Sequence, residues 1–182
     1  MAQYGYLLVK EARPRQWLKN LSLYTGLVFS GWLFTADKFW TVTTAWIIFS
    51  ILTSSVYIFN DIVDVNSDRN HPFKKFRPIA SGQLPIGIAL FFSLSGVFLS
   101  LALGWSLSYF LFLVMIAYLI LQFVYTTWLK HRPILDVMAI AAGFLIRVYA
   151  GAFIIGVHIN VWLLLCIISF SYFWRSGKEG AS

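Results

Sequence analysis

Residues 78–129 read PIASGQLPIGIALFFSLSGVFLSLALGWSLSYFLFLVMIAYLILQFVYTTWL, 52 residues without a single Asp, Glu, Lys or Arg. A helix needs about 20 mostly apolar residues to cross the hydrocarbon core of a bilayer. The stretch therefore holds two such helices, with a turn near Gly104-Trp105-Ser106. Outward from it the charge-free gaps predict further spans. Residues 20–36 give 17 positions and 39–60 give 22. A fifth span runs from about Asp136 to Gly156, interrupted only by Arg147, and a sixth from about Asn160 to Trp174. Composition agrees: hydrophobic residues are 59% of the 182, charged residues 12%, and mean hydropathy is +0.75. Soluble domains run nearer 45–50% apolar and about 25% charged. The predicted fold class is all-α, a polytopic bundle of transmembrane helices. Residues 1–175 form one integral membrane domain, and 176–182 (SGKEGAS) a disordered tail or truncation scar.

Net charge is +7, from fourteen bases and seven acids. So few charges on so apolar a chain exclude a nucleic-acid binder. The single cysteine, Cys166, excludes an internal disulfide and a cysteine-based zinc cage. If six spans alternate, twelve of the bases fall on one face. These are Lys10, Arg13, Arg15 and Lys19; Arg69, Lys74, Lys75 and Arg77; Lys130 and Arg132; Arg175 and Lys178. By the positive-inside rule that face and both termini are cytoplasmic. The expected location is therefore a cell membrane, with the base-rich loops on its cytoplasmic side. The apolar run Tyr6 to Val9 is too short for the core of a cleavable signal peptide. Loops on the far side are short, whereas the cytoplasmic segment 60–82 is long and polar, which marks it as the functional loop.

That segment opens Asn60-Asp61-Ile62-Val63-Asp64-Val65-Asn66-Ser67-Asp68-Arg69-Asn70-His71-Pro72. If the second span continues as a helix, Asp61, Asp64 and Asp68 share a face roughly 60° wide, with Asn60 at its edge. Carboxylates so placed repel one another and favour a cation. Hard oxygen ligands suit magnesium or calcium, and magnesium commonly shares its site with a substrate phosphate. The plain alternative is a solvated acidic helix end neutralised by Arg69 and Lys74. The spacing is not that of an EF-hand. Pro72 ends the helix, and His71, Lys74, Lys75 and Arg77 fold back beside the acids. A cation flanked by several bases suits a diphosphate.

A second group lies at the cytoplasmic start of the fifth span: Tyr125, Lys130, His131, Arg132 and Asp136. On a helical wheel Asp136, Ile140, Gly143 and Arg147 fall within about 60°, a small, charged face expected to point into the bundle. Arg147 either pairs with an acid or carbonyls inside the fold or holds a substrate anion. Asp136 facing Asp61, Asp64 and Asp68 would make a two-sided magnesium site.

Asn60-Asp61-x-x-Asp64-x-x-x-Asp68, then His71-Pro72-x-Lys74-x-x-Arg77-Pro78-Ile79-Ala80-Ser81-Gly82, resembles the first Asp-rich motif of the UbiA prenyltransferase superfamily. Ala12 to Asn20 (ARPRQWLKN), Leu129 to Asp136 and Gly143-Phe144-Leu145-Ile146-Arg147 are similar to its decaprenyl-phosphate phosphoribosyltransferases. The resemblance covers about residues 11–160. It implies a ring of more helices than this chain holds, with a C-terminal portion missing. It implies a Mg2+-dependent enzyme that moves 5-phosphoribose from phosphoribosyl diphosphate to a polyprenyl (decaprenyl) phosphate, releasing diphosphate, for cell-envelope polysaccharide precursors. Asp61, Asp64, Asp68 and Asp136 would hold the metal. Asp61, Asp64, Asp68, Lys74 and Arg77 would form the catalytic set. Lys19, Asn60, His71, Lys75, Tyr125, Lys130, Arg132, Asp136 and Arg147 would bind substrate. The partners implied are the two substrates and membrane lipids, with an oligomer possible.

Two other readings remain. One is an intramembrane prenyltransferase with an aromatic or other acceptor, although the fifth span offers one acid where those enzymes often carry two. The other is a non-catalytic ion-binding channel or transporter subunit, against which the acids stop at the cytoplasmic face.

Overall fold

A computed structural model describes residues 2–128 and 133–157. Their order is α1 (Ala2–Ala12), a 3-10 stretch (Pro14–Tyr24), α2 (Thr25–Phe29), α3 (Ala36–Val63), α4 (Val65–Asn70), a short 3-10 turn (Lys74–Phe76), α5 (Ile86–Leu107), α6 (Tyr109–Thr127) and α7 (Pro133–Ile154). No strand occurs among the described residues. Three helices, α3, α5 and α6, are long and apolar enough to cross a membrane. At 1.5 Å per residue the 22 residues of α5 span about 33 Å, a full hydrocarbon core. α7 lies where the fifth span is expected, and its apolar part, Met138–Ile154, is shorter than those three. It is followed by Gly156 in the left-handed region, φ 70°. The protein is an integral membrane protein built of helices. The sixth expected span and the tail 176–182 lie outside the described residues.

Residues 20–36 differ from expectation. Hydropathy predicts one continuous span there, but the structure has the end of the 3-10 stretch, the five-residue α2 and a turn. The Trp32 N–H reaches the Leu27 carbonyl (3.1 Å) and the Gly31 N–H that of Val28 (3.2 Å), with Gly31 at φ 74°. This is a helix C-terminus of the Schellman type, which a glycine in the left-handed region permits. A second small difference lies between α5 and α6. The chain turns at Ser108 (φ −164°, ψ 132°), a few residues beyond the expected Gly104-Trp105-Ser106.

The chain forms two compact units. The first comprises residues 1–18 and 47–103. Its core brings Leu7 of α1, Ile58 of α3, Ile79 and Leu84 of the loop, and Ala89 of α5 together. α5 lies against α3 through small residues. Gly96 faces Ser55 and Ile51, and the Ser93 hydroxyl donates to the Ser55 carbonyl at 2.8 Å. Small residues let helix backbones approach closely where lipid supplies no hydrophobic drive.

The second unit comprises residues 19–46 and 104–182. α6 and α7 pack together there, and α2 lies against α7. The contact is close because Gly26 faces Ala152 and Gly151 faces the Leu23 backbone. Lys38 donates to the Ile155 carbonyl (3.2 Å), and its ammonium sits 3.0 Å from the Trp32 ring centroid. The apolar outer surfaces of α5 and α6, including Phe91, Phe98, Phe110 and Phe123, are exposed. That is the expected surface of a helix that faces lipid.

Candidate active site

The helical register predicted beyond the second span is present. α3 ends at Val63 and α4 begins at Val65, yet the Asp64 N–H bonds to the Asn60 carbonyl (2.9 Å) and the Asp68 N–H to the Asp64 carbonyl (2.8 Å). The turn therefore continues through Asp64, and Asp61, Asp64 and Asp68 stay on neighbouring positions of one helical path. His71 is extended (ψ 135°), as the residue before a proline prefers, and α4 stops at Asn70. His71 Nδ1 then accepts the N–H groups of Phe73 (3.2 Å) and Lys74 (3.3 Å), which starts the next turn.

Asp61 and Asp68 are buried, 5% and 2% exposed, whereas Asp64 is only half-buried. A buried carboxylate must be paired, and these are. Arg77 Nη1 lies 3.0 Å from Asp61 Oδ1 and 2.6 Å from Asp68 Oδ2, so one nitrogen bridges two carboxylates. Lys74 Nζ stands 3.8 Å from the other Asp68 oxygen. A further cation is Arg13, whose Nη2 contacts both Asp61 oxygens at 2.6 and 2.5 Å. The bases thus fold back as the sequence predicts for Arg77 and Lys74. Lys75 instead stays exposed beside Phe76, and Arg69 donates to the Ala80 carbonyl at 3.3 Å.

Two residues of this cluster were absent from the expected site. Arg13 carries φ 51°, the one described non-glycine residue in the left-handed region, immediately before Pro14. Such backbone costs about 1–3 kcal/mol and persists only where the surroundings hold it. Here they are its pair with Asp61 and the Tyr57 ring 5.4 Å away. Glu11, 2% exposed, accepts the Ile79 N–H on Oε1 at 3.0 Å. Burial pushes its carboxyl up to about 7. The Ile79 hydrogen bond opposes this, and the hydrogen bond and like charge of Asp61 add to it. Spacing carried a faint signal for Glu11, which follows Leu7 by four positions and so falls on the buried face of α1.

Glu11 matters because of what Ile79 belongs to. Arg77 is extended (ψ 143°) before Pro78, and the loop closes through Ser81 N–H to Arg77 carbonyl (2.8 Å) and Leu84 N–H to Pro78 carbonyl (2.9 Å). Glu11 ties this loop to α1, while Ile79 and Leu84 anchor it in the core. The backbone that follows Arg77 is therefore held at Ile79 and again at Leu84.

The donor set suits a hard divalent cation in kind, with three carboxylates on one helical path. In the arrangement described, however, no three Asp, Glu, His or Cys side chains among the described residues converge to hold a metal ion. Guanidinium nitrogens take the carboxylate oxygens instead.

In the second unit Arg147 is 5% exposed and donates to Asn20 Oδ1 (2.7 Å), the Gly143 carbonyl (2.6 Å) and the Tyr118 hydroxyl (3.2 Å). Of the face predicted to point inward, Gly143 and Arg147 are buried but Ile140 is exposed at 36%, and Arg147 binds α7 to α6 and to the start of the unit. Lys19 is exposed there and Tyr125, on α6, is half-buried. Lys130 and Arg132 lie outside the described residues, as does the side chain of Asp136.

A model of the UbiA prenyltransferase family matches residues 21–177. The chain is 39% identical to the decaprenyl-phosphate phosphoribosyltransferase of Mycolicibacterium smegmatis, over 96% of this chain and 56% of that protein. It is 36% identical to that of Mycobacterium tuberculosis (strain ATCC 25618 / H37Rv), over 96% and 59% respectively. The chain thus spans a little over half the length of these relatives. Among solved structures it is similar to a UbiA homologue from Archaeoglobus fulgidus bound to GPP and Mg2+. The TM-score there is 0.77 and the identity 20%, covering 93% of this chain and 61% of that one. With the Asp-rich segment, the helical fold and the family match in agreement, the chain belongs to the UbiA prenyltransferase family.

Proposed function

We propose that the chain carries the diphosphate-handling part of a Mg2+-dependent intramembrane transferase. Its donor is phosphoribosyl diphosphate, and its acceptor is a polyprenyl phosphate such as decaprenyl phosphate. The reaction moves 5-phosphoribose to the acceptor and releases diphosphate, on the cytoplasmic side of a bacterial inner membrane, toward cell-envelope polysaccharide. The observation that carries this reading is the buried pair Asp61 and Asp68 surrounded by Arg13, Lys74 and Arg77. Support for the donor comes from the relatives named decaprenyl-phosphate phosphoribosyltransferase.

Asp61, Asp64 and Asp68 would hold Mg2+, with Asp136 as a further ligand. When bound, the ion supplies positive charge that draws off the negative charge of a departing diphosphate. The chain's own cations act on the same charge. Arg77, Lys74 and Arg13 are already gathered around the acids, so positive charge stands close to where negative charge grows on the leaving group. In this reading Asn60, His71 and Lys75 also bind the donor, and Lys19, Tyr125, Lys130 and Arg132 are further substrate-binding residues. Arg147 contributes by fixing Asn20 beside Lys19. The acceptor phosphate is anionic and needs no strong base to attack, and its hydrocarbon tail belongs among the apolar helices.

A second reading is transfer of a prenyl group from a prenyl diphosphate, favoured by the likeness to the homologue bound to GPP. One experiment separates the two. With Mg2+ present, phosphoribosyl diphosphate should raise the thermal midpoint of the purified protein by several degrees, and geranyl diphosphate should not. A shift with geranyl diphosphate alone would establish the second reading in place of the first.

A further inference from the structure

Arg77 Nη1 occupies the place between Asp61 Oδ1 and Asp68 Oδ2, 3.0 and 2.6 Å from them. A magnesium ion sits about 2.0–2.1 Å from each oxygen it takes, so one held by both of these would collide with the guanidinium nitrogen. Two cations cannot share that place. From this geometry, and resting on the proposed metal–diphosphate reading, we infer that Arg77 and the divalent cation compete for these two oxygens. The site therefore accepts cation and diphosphate as a pair rather than either alone.

The surroundings explain why the exchange needs the anion. The backbone after Arg77 is held by Pro78, by the Ile79 anchor in the core and by the Glu11 bond to the Ile79 N–H, and its own N–H bonds to the Lys74 carbonyl at 3.0 Å. Only the side chain is free to turn. Its head is partly exposed, at 29% for the side chain, so it has room to leave the carboxylates. Arg13 keeps two contacts on Asp61, and Lys74 stays near Asp68. A divalent ion entering alone would add charge to a cluster already rich in cations and strip Arg77 of both partners. Diphosphate entering alone would meet carboxylates that repel it and a guanidinium already engaged. Together the ion takes the carboxylates and the phosphate oxygens take the released guanidinium, a bidentate partner for its fork. Each ligand raises the affinity for the other, as linkage requires.

The test uses the purified chain in detergent, with Mn2+ as an ion whose free form is counted by its paramagnetic resonance signal, and inorganic diphosphate. The protein-free Mn2+–diphosphate complex is subtracted. Saturating diphosphate should tighten Mn2+ binding at least about fivefold in the natural sequence, the lower end of ordinary coupling between sites. Arg77→Gln should bind Mn2+ alone at least about fivefold more tightly than the natural sequence and lose most of the diphosphate effect. Arg77→Lys, which keeps the charge, should show no such gain. A merely structural ion pair predicts the opposite sign, since losing it would loosen the acids and weaken Mn2+ binding. Mn2+ affinity unchanged or weaker in Arg77→Gln would overturn the inference, as would affinity in the natural sequence that is indifferent to diphosphate. The second measurement needs no variant to fold. If the natural sequence bound neither ion even together, the metal–diphosphate reading itself would fall, and the inference with it.

Discussion

Glu11 is where a single atom's surroundings have the furthest reach. Its carboxyl is buried and pushed up to about 7 from an ordinary 4.5, so the folded protein holds a proton that the unfolded chain has released. Between those values the folded state binds more protons, and stability must fall as pH rises. The stabilisation is full below about pH 4.5 and is lost as pH passes 7. At 1.36 kcal/mol for each unit, the ceiling on this loss is about 3 kcal/mol. Thermal midpoints measured in EDTA from pH 5 to 8 should decline for the natural sequence. Those of Glu11→Gln should stay nearly flat over the same range, since the amide oxygen still accepts the Ile79 N–H and carries no charge. A parallel decline in the variant would place the titrating group elsewhere.

Much of the site could be read at this scale from spacing alone. Asp61, Asp64 and Asp68 follow one another within a single helical path, so their shared face is a local property that the sequence displays. So does the stop at Pro72. Glu11 and Ile79 are 68 positions apart, and Arg13 and Asp61 are 48 apart. Their meeting depends on how α1, α3 and the loop pack, which no local spacing encodes. Arg13 shows this well. Its presence before Pro14 was plain, but the left-handed backbone that aims it at Asp61 appears only in the fold.

Among the elements, α3, α5 and α6 were legible because an unbroken apolar stretch of about 20 residues has few alternatives in a bilayer. Residues 20–36 were not, because a charge-free gap measures hydropathy and says nothing of helix continuity. Gly31 ends α2 through its backbone conformation, a signal that hydropathy ignores. The packing of α2 on α7 gives a sharp test of how these short elements are held. A methyl group at Gly151 would collide with the Leu23 carbonyl, which is backbone and cannot rotate away. Gly151→Ala should therefore cost about 1–3 kcal/mol. Gly87 on α5 has nothing within 4 Å of the same position. Gly87→Ala should be neutral or gain up to about 1 kcal/mol from helix propensity. Thermal unfolding in one detergent compares the two, and equal effects would mean that the α2–α7 contact is looser than described.

For the whole molecule, the basic residues on alternate loops predict which way the helices run. The 22 residues of α5 join the loop containing Lys75 to the turn following Ser106, and cross one hydrocarbon core between them. After Cys166 is replaced, a cysteine at Lys75 should react with a membrane-impermeant reagent only from the cytoplasmic side. One at Ser106 should react only from the opposite side. Reaction of both from one side would break the alternation and move the proposed site off the cytoplasmic face. The lipid-facing surface fits this arrangement, since Phe91 and Phe98 on α5 stand exposed where only hydrocarbon would welcome them.

The left-handed backbone at Arg13 has a meaning for anyone who would engineer the protein. A selection for heat resistance rewards relief of strain, and glycine or asparagine relieves it at such a position. Both would discard the guanidinium that grips Asp61. A consensus or directed-evolution campaign scored on melting temperature alone would therefore drift toward a sturdier protein with a weakened site, the familiar opposition between robustness and performance. Position 13 belongs among those frozen before any such library is drawn.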